Sequence, residues 1–417
     1  MRSFPLPGLP VSPRLAIALI FFSRGFVQGS WYPRIPGVVD RLDISSSELG
    51  FIWFSLALFN MIAFSIAAKI ISRFGTATTH LIFAAPYPLA FIAAGLAPNI
   101  PLFWLSMCVF GLLNGGYDIS CSVQGGIVER ATKRPLVSAL YGYFSLGALS
   151  GSFLSGFIAQ AGVPMQLQFT VIGVIAIPAS FLLRTALLPD ENHPTRPTTT
   201  TAKRRRFSLP PKVLLPLGIT IICVAFGEET INNWVALYMR SDLGSDPAIA
   251  GFAYTAFAIA TFTGRILGDR IISRIGVDRV ISAGATLAAA GIAFGILINQ
   301  PWSMVVGYTV VGAGLSVIVP VTYRRAGEMP GMSPAQAVSQ VASIGFVGFM
   351  LGPILIGLLS DLISLRFTLA LVSFALLVIV AMVRLNPSGD LVTVQDRAPR
   401  TRHRPRWRPR SSSPTSR

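Results

Sequence analysis

The chain carries an internal duplication. Displaced by 201 positions, its two halves align without a gap over more than a hundred residues. Lys69-Ile-Ile-Ser-Arg-Phe-Gly75 falls on Arg270-Ile-Ile-Ser-Arg-Ile-Gly276, and Gly50 falls on Gly251. Gly111, Gly126, Gly147, Gly151 and Gly156 fall on Gly312, Gly327, Gly348, Gly352 and Gly357. Seven of the twelve glycines from Gly50 to Gly156 land on glycine, where 38 glycines in 417 residues would give about one by chance. Glycine is required where backbone approaches backbone or bends. Matched glycines therefore predict two units of the same build, packed by the same rules.

What each unit is made of follows from its apolarity. Of all residues 52% are hydrophobic and only 12% charged, about half the charge of an ordinary soluble chain. Mean hydropathy is +0.63. Apolar runs of about twenty residues recur throughout, and stretches such as 15–22, 213–226 and 367–383 lack the period-two alternation of barrel strands. Twelve spans are expected, at 15–36, 48–70, 78–97, 102–127, 136–160, 166–187, 213–239, 248–268, 279–298, 302–324, 335–360 and 365–385. The predicted fold is an all-α membrane protein with twelve transmembrane helices in two pseudo-symmetric halves, residues 1–187 and 213–386. A polar, Thr- and Arg-rich linker joins them at 188–212, and a Pro/Arg/Ser-rich tail at 387–417 is expected to be disordered.

Cationic residues orient the bundle. With the N-terminus inside, 29 of the 34 Lys and Arg residues fall on the inner side. Only Arg34, Arg41, Arg240 and Arg366 fall outside, and Arg24 lies within the first span. The positive-inside rule then puts both termini in the cytoplasm of a multi-pass protein of the plasma (inner) membrane, its first span retained. The same asymmetry accounts for the net charge of +17. Nucleic acid is not an expected partner, since no folded platform surrounds the Arg-rich tail.

Several chemistries lack their motifs. There is no Gly-x-x-x-x-Gly-Lys-Ser/Thr loop, zinc-protease helix or nucleophile elbow. Cys108, Cys121 and Cys223 fall in spans without metal or disulfide spacing. No cofactor and no metal are expected, and the chain is not read as an enzyme. With little mass in the outer loops, function has to lie within the helices.

There the exceptional residues are ionisable ones, each costing about 2.5–3.5 kcal/mol to place in hydrocarbon. Arg24 lies in span 1, Asp118 in span 4, and Glu228 and Glu229 in span 7. Arg24, Gln28 and Trp31 recur at helical spacing, as do Asn114, Asp118, Cys121 and Gly125, and as do Glu228 and Asn232, with Glu229 and Asn233 on the adjoining face. Such polar stripes must face protein or water. They serve either static helix–helix bonding or a polar hollow between the halves; for Asp118 and Glu228 function is favoured, because a buried carboxyl is costly glue. A carboxyl held in a low-dielectric site is also a candidate proton carrier, and Asp118 or Glu228 is expected to fill that role. Gly352-Pro353 and Pro320 are expected to bend their helices.

These features resemble the major facilitator superfamily. Its loop after the second span reads Gly-x-x-x-Asp-Arg-x-Gly-Arg-Arg. Arg73 and Gly75 match it, as do Arg274 and Gly276; Ser72 and Ser273 replace the aspartate, and Ala68 and Asp269 the first glycine. The stretches Gly29–Pro36, Asp118–Glu129, Arg134-Pro135, Glu228 ahead of Trp234, and Gly345–Pro353 are similar to a little-characterised bacterial inner-membrane branch, distantly like sugar permeases. Ser122, Tyr141 and Asn233 stand where that branch usually has asparagine, histidine and aspartate.

The resemblance implies a secondary active transporter that works by alternating access around a site near the midplane. Arg24, Gln28, Trp31, Asn114, Asp118, Glu228, Glu229 and Asn232 are the expected solute- and proton-binding set. Gating is expected from Arg34 at the outer mouth, from Arg73, Gly75, Arg265, Asp269, Arg270 and Gly276 on the inner side, and from Gly352 and Pro353 at a flexible crossing. The expected partners are a small-molecule solute, protons and the lipid bilayer, and the chain is expected to act as a monomer. Two alternatives stand beside this reading: an exporter of drugs or metabolites on the same fold, and a membrane sensor with the basic tail as its output.

Overall fold

The structure is a computed structural model that describes residues 12–133, 136–189, 212–329 and 332–385. Most of the linker, the basic tail and Arg134-Pro135 lie outside the described residues. The first half comprises α1 (Pro13–Gly29), α2 (Ile35–Leu42), α3 (Ser46–Phe74), α4 (Thr76–Ala84), α5 (Tyr87–Leu96), α6 (Ile100–Thr132), α7 (Val137–Gln160) and α8 (Met165–Arg184). The second comprises α9 (Leu215–Ser241), α10 (Pro247–Ile275), α11 (Val277–Ile298), α12 (Pro301–Leu315), α13 (Ile318–Gly327), α14 (Pro334–Ile363) and α15 (Leu365–Leu385). No strand occurs among the described residues. Eleven spans, counting α4 with α5 and α12 with α13, are long and apolar enough to cross a bilayer. The 17-residue α1, continued by a 3-10 turn and α2, completes twelve.

Three spans expected as single helices are broken, and proline explains each break. A proline ring clashes with the carbonyl four residues earlier and lacks an N–H. Pro33 acts in this way on Gly29, where α1 ends; Pro88 acts on Ala84, where α4 ends; and Pro320 acts on Ser316, just past the end of α12. Pro353 and Pro178 are carried inside α14 and α8. Other helix starts use side-chain caps. Ser45 caps α3 in a reciprocal box with Glu48, and Ser333 caps α14 with Gln336.

The matched glycines show how the units are built. A Cβ on Gly111 (α6) would collide with the Leu56 carbonyl of α3, and one on Gly312 (α12) with the Phe257 carbonyl of α10. Leu56 and Phe257 are themselves related by the duplication. Gly147 and Gly151 let α7 close on α1 in the same way that Gly348 and Gly352 let α14 close on α9. Gly75 and Gly276 both take positive φ, 79° and 85°, at the tight turns after α3 and α10. The carbon a side chain would add has no room at these crossings, so the close approach was encoded twice.

The halves meet along two helix pairs, α3 with α14 and α7 with α10. Here the glycines pair crosswise. Gly50 faces Gly357, whose Cα lies 3.2 Å from where a Gly50 Cβ would sit. Gly251, the partner of Gly50 in the duplication, faces Gly156, the partner of Gly357, at 3.3 Å. Both contacts lie at the end of the bundle that holds Ser46, here called the Ser46 end. There Asp361, in the last turn of α14, accepts hydrogen bonds from the Ser46 and Ser47 backbone N–H groups at 3.1 and 2.8 Å. A carboxylate is unfavourable at its own helix C-terminus and favourable at another helix's N-terminus, so the contact suits both dipoles only while the halves touch. Ser152 Oγ adds a bond to the Gly251 carbonyl at 3.3 Å, and Tyr32 packs on Tyr254 with ring centroids 4.6 Å apart. The Ser46 end is closed. Toward the opposite, Gly75 end, a cavity of about 670 Å³ lies between α7, α10 and α13, lined by Tyr141, Ser145, Phe262, Arg265 and Arg324.

Two substitutions test this closure. Gly357→Leu has no room and is expected to drive the Ser46 end open. Asp361→Asn removes an exposed charge–dipole contact of about 1 kcal/mol, roughly a fivefold change in the closed-to-open ratio. Spin labels on Asp40 and Asp242 report the separation; an unchanged distance distribution in both variants rules the latch out.

Candidate functional site

Arg24 is the buried cation that the first half has to accommodate. Gly25 and Gly29 follow it on α1 and bring that helix against the α7 backbone, and Arg24 is held 7% exposed among α1, α6 and α7. Its Nη1 meets Asp118 Oδ1 of α6 at 2.6 Å. Nε and Nη2 donate to Asn114 Oδ1 at 3.4 and 3.2 Å, and the same oxygen accepts from the Tyr87 hydroxyl at 3.4 Å. The guanidinium also lies over the Phe144 ring, 5.0 Å from its centroid. The four-residue spacing of Asn114 and Asp118 puts one neutral and one charged acceptor on the face of α6 that Arg24 reaches.

Glu229 occupies the second half differently. Its two oxygens accept from Asn232 Nδ2 at 3.3 Å and Asn233 Nδ2 at 2.8 Å, one turn along α9. Both donors are neutral amides. The described residues contain two ion pairs, Arg24–Asp118 and Arg325–Asp278, and Glu229 belongs to neither. Glu228, its neighbour in sequence, belongs to neither pair and feels the charge of Arg265. Glu229 therefore stands as a carboxyl supported by dipoles alone.

Between these groups lies a cavity of about 90 Å³ shared by both halves. Gln28, Trp31, Tyr32, Trp53, Asn60, Phe110 and Asn114 line it from the first half, and Glu229, Asn232, Asn233, Phe349 and Pro353 from the second. Trp31 and Trp53, each 4% exposed, meet edge to face with centroids 6.1 Å apart, and Trp31 stacks on Phe103 and Phe169 behind them. Gln28 Nε2 donates to the Tyr32 hydroxyl at 3.1 Å. The cavity is far smaller than the ~300–1,000 Å³ of typical ligand pockets, as a site shut under a closed end should be. A separate apolar groove of about 780 Å³, between α1, α7 and α8, runs along the lipid-facing side of the first half and presents hydrocarbon, not chemistry.

The expected site residues thus divide. Gln28, Trp31, Asn114, Glu229 and Asn232 border the shared cavity. Arg24 and Asp118 stand behind Asn114 as a paired support, and Glu228 faces Arg265. Tyr32, Trp53, Asn60, Phe110 and Phe349 join the cavity without having been singled out by charge or spacing. Trp53 and Asn60 lie seven residues apart on α3, so their common face was visible in the sequence; nothing there said that it met α1.

The gating set is scattered. Arg34 lies inside the first half, its Nε donating to Gln168 Oε1 at 2.6 Å and Nη1 to the Val163 carbonyl at 3.0 Å. Arg73 lies over the Phe74 ring, 5.2 Å from its centroid, beside the Gly75 turn. Arg265 lines the cavity at the Gly75 end, and Arg270 is exposed just before the Gly276 turn. The side chain of Asp269 lies outside the described residues. Gly352 packs on Phe226, while Pro353 borders the shared cavity and its carbonyl abuts Gly50. Ser72 and Ser273, which replace the aspartate of the family loop, each donate to a carbonyl of their own helix, Lys69 and Arg270, at 2.8 and 2.9 Å.

The family model described as Major Facilitator Superfamily matches residues 217–414. An uncharacterised MFS-type transporter of Yersinia pestis is 27% identical over 379 residues, covering 91% of this chain and 96% of that protein. The family match thus falls on the second half of the chain, while the likeness to an MFS-type transporter runs over nearly its whole length. Among solved structures, the nucleoside transporter NupG superposes with a TM-score of 0.69 at 12% identity, over 90% of this chain and 99% of that one. A bacterial homologue of the human lysosomal transporter Spinster, in an inward-facing and unoccupied conformation, superposes with a TM-score of 0.65 at 15% identity, over 92% of this chain and 96% of that one. The fold is that of these transporters, and the shared cavity lies where the two halves meet.

Removing one partner of a buried ion pair leaves the other charge stranded. Asp118→Asn is expected to cost about 3 kcal/mol of stability, and the double variant Arg24→Met/Asp118→Leu less than the sum of the single changes. Denaturation in detergent measures both. A strictly additive cycle dissolves the coupling.

Proposed function

We propose that this membrane protein is a secondary active transporter that carries a small solute by alternating access. One observation supports this most: a polar cavity is walled by both halves, sealed at the Ser46 end by contacts that involve no covalent link, and backed toward the Gly75 end by a larger cavity. Opening the Ser46 end while the Gly75 end closes would expose the same residues to the other side. The excess of Lys and Arg at the Gly75 end supports placing that end in the cytoplasm, which makes the conformation described inward-facing on this reading. On this reading the chain acts as a monomer in the inner membrane with both termini cytoplasmic.

The coupling ion is a proton, and its carrier is Glu229. The sequence points first to Asp118 or Glu228, but Asp118 is held by Arg24 at 2.6 Å and Glu228 lies in the field of Arg265. Glu229 borders the cavity that alternating access would expose to each side in turn, and has only neutral donors, which can serve it in either protonation state.

In proteoliposomes, accumulation is expected to follow an imposed proton gradient. Glu229→Gln is expected to abolish accumulation yet keep exchange of labelled for unlabelled solute. Gradient-indifferent accumulation, unchanged by Glu229→Gln, ends the coupling role. Deleting residues 387–417 leaves transport intact on this reading, whereas a sensor with the tail as its output loses its response.

A further inference from the structure

The shared cavity contains polar atoms that the protein leaves without partners. Trp31 Nε1, Trp53 Nε1 and Gln28 Oε1 are buried and meet no donor or acceptor of the chain, and all three belong to residues that line the cavity. Asn60 Oδ1, which packs against Gly115, has none either. Other polar atoms at the site are engaged within the protein: Asn114 Oδ1 accepts from Arg24 and Tyr87, and Asn232 Nδ2 and Asn233 Nδ2 donate to Glu229. The atoms buried there without a partner are a mixed set, two indole donors beside two amide acceptors. A buried polar group without a partner is costly, so such a set marks what the site is built to hold.

The mixture selects among ligand chemistries. An ammonium group only donates, and would leave both indoles unmet. A carboxylate or phosphate only accepts; it would leave Gln28 and Asn60 unmet and would stand against Glu229, with no cation bordering the cavity to hold it. A hydroxyl both donates and accepts. The walls add a second constraint: Trp31, Trp53, Tyr32, Phe110 and Phe349 offer ring faces and edges, which suit the C–H face of a small ring. We propose that this site recognises a neutral, hydroxyl-bearing ring solute, with Trp53 and Gln28 as its specificity-determining contacts.

This inference rests on the transporter reading, and the test keeps the two apart. Purified full-length protein is titrated in detergent with a hexose, a cyclitol and a ribonucleoside, each beside an amine-bearing and an acid-bearing counterpart, and thermal stabilisation is followed. At least one neutral compound is expected to bind, about tenfold or more tighter than its charged counterparts. Trp53→Phe, which keeps a ring and removes the N–H, and Gln28→Met are each expected to weaken that binding about tenfold while leaving the unliganded melting temperature within a degree or two. Tighter binding of an amine or an acid, binding by none of the neutral compounds, or affinity unmoved by both substitutions overturns the proposal. Binding without movement of the solute in proteoliposomes instead refutes the transporter reading and leaves the recognition intact.

Discussion

Everything in this molecule depends on how closely two helix pairs can approach at one end. Gly50 against Gly357 and Gly251 against Gly156 let α3 reach α14 and α7 reach α10 at backbone distance. Without a hydrophobic drive between helices in lipid, such contacts rely on dispersion, weak C–H···O contacts and a few hydrogen bonds. They hold only while the surfaces fit, and they separate without breaking a covalent bond or unfolding a helix. That is the physical requirement for a seal that has to open. The cavity beneath owes its small size to it.

The two interfaces are alike in glycine but not in charge. Asp361 binds the first turn of α3, whereas the corresponding positions on the other pair are Gln160 and Pro247. Pro247 lacks the N–H that Ser46 offers and Gln160 lacks the charge of Asp361, so the second interface cannot reproduce both bonds of the first. A duplicated scaffold has acquired an asymmetric fastening. The same divergence runs through the centre, where the first half carries a neutralised pair, Arg24–Asp118, and the second an acid with dipoles only. One half supplies a charge-compensated pair and the other a carboxyl held by neutral amide donors.

How much of this was legible in the sequence depends on the kind of interaction. The helices, their number and their grouping into halves follow from apolar runs and the 201-residue offset, because burial in lipid imposes itself residue by residue. The breaks at Gly29, Ala84 and Ser316 were also present, as prolines four residues on, yet hydropathy passes over a proline in an apolar run. Part of the site was marked by cost: Glu229 and Asn114 stand out because polar groups in hydrocarbon require a reason. Trp53, Asn60 and Phe349 did not, since tryptophan and phenylalanine are ordinary in a membrane helix and one asparagine on α3 has no visible partner.

The sequence by itself determined a twofold helical membrane protein with close crossings at its matched glycines, since length, hydropathy and the absence of a side chain are local properties that no partner alters. Only the tertiary structure decided which acid is compensated and which is not. Arg24 pairs with Asp118 across 94 residues of chain, and Glu229 is left to the cavity with amide donors only. It also decided that Arg34 braces the first half from within and that Asp361 reaches across to the second residue set at Ser46 and Ser47. Electrostatic pairing is set by distance in space, and distance in space is what a linear pattern of residues does not contain.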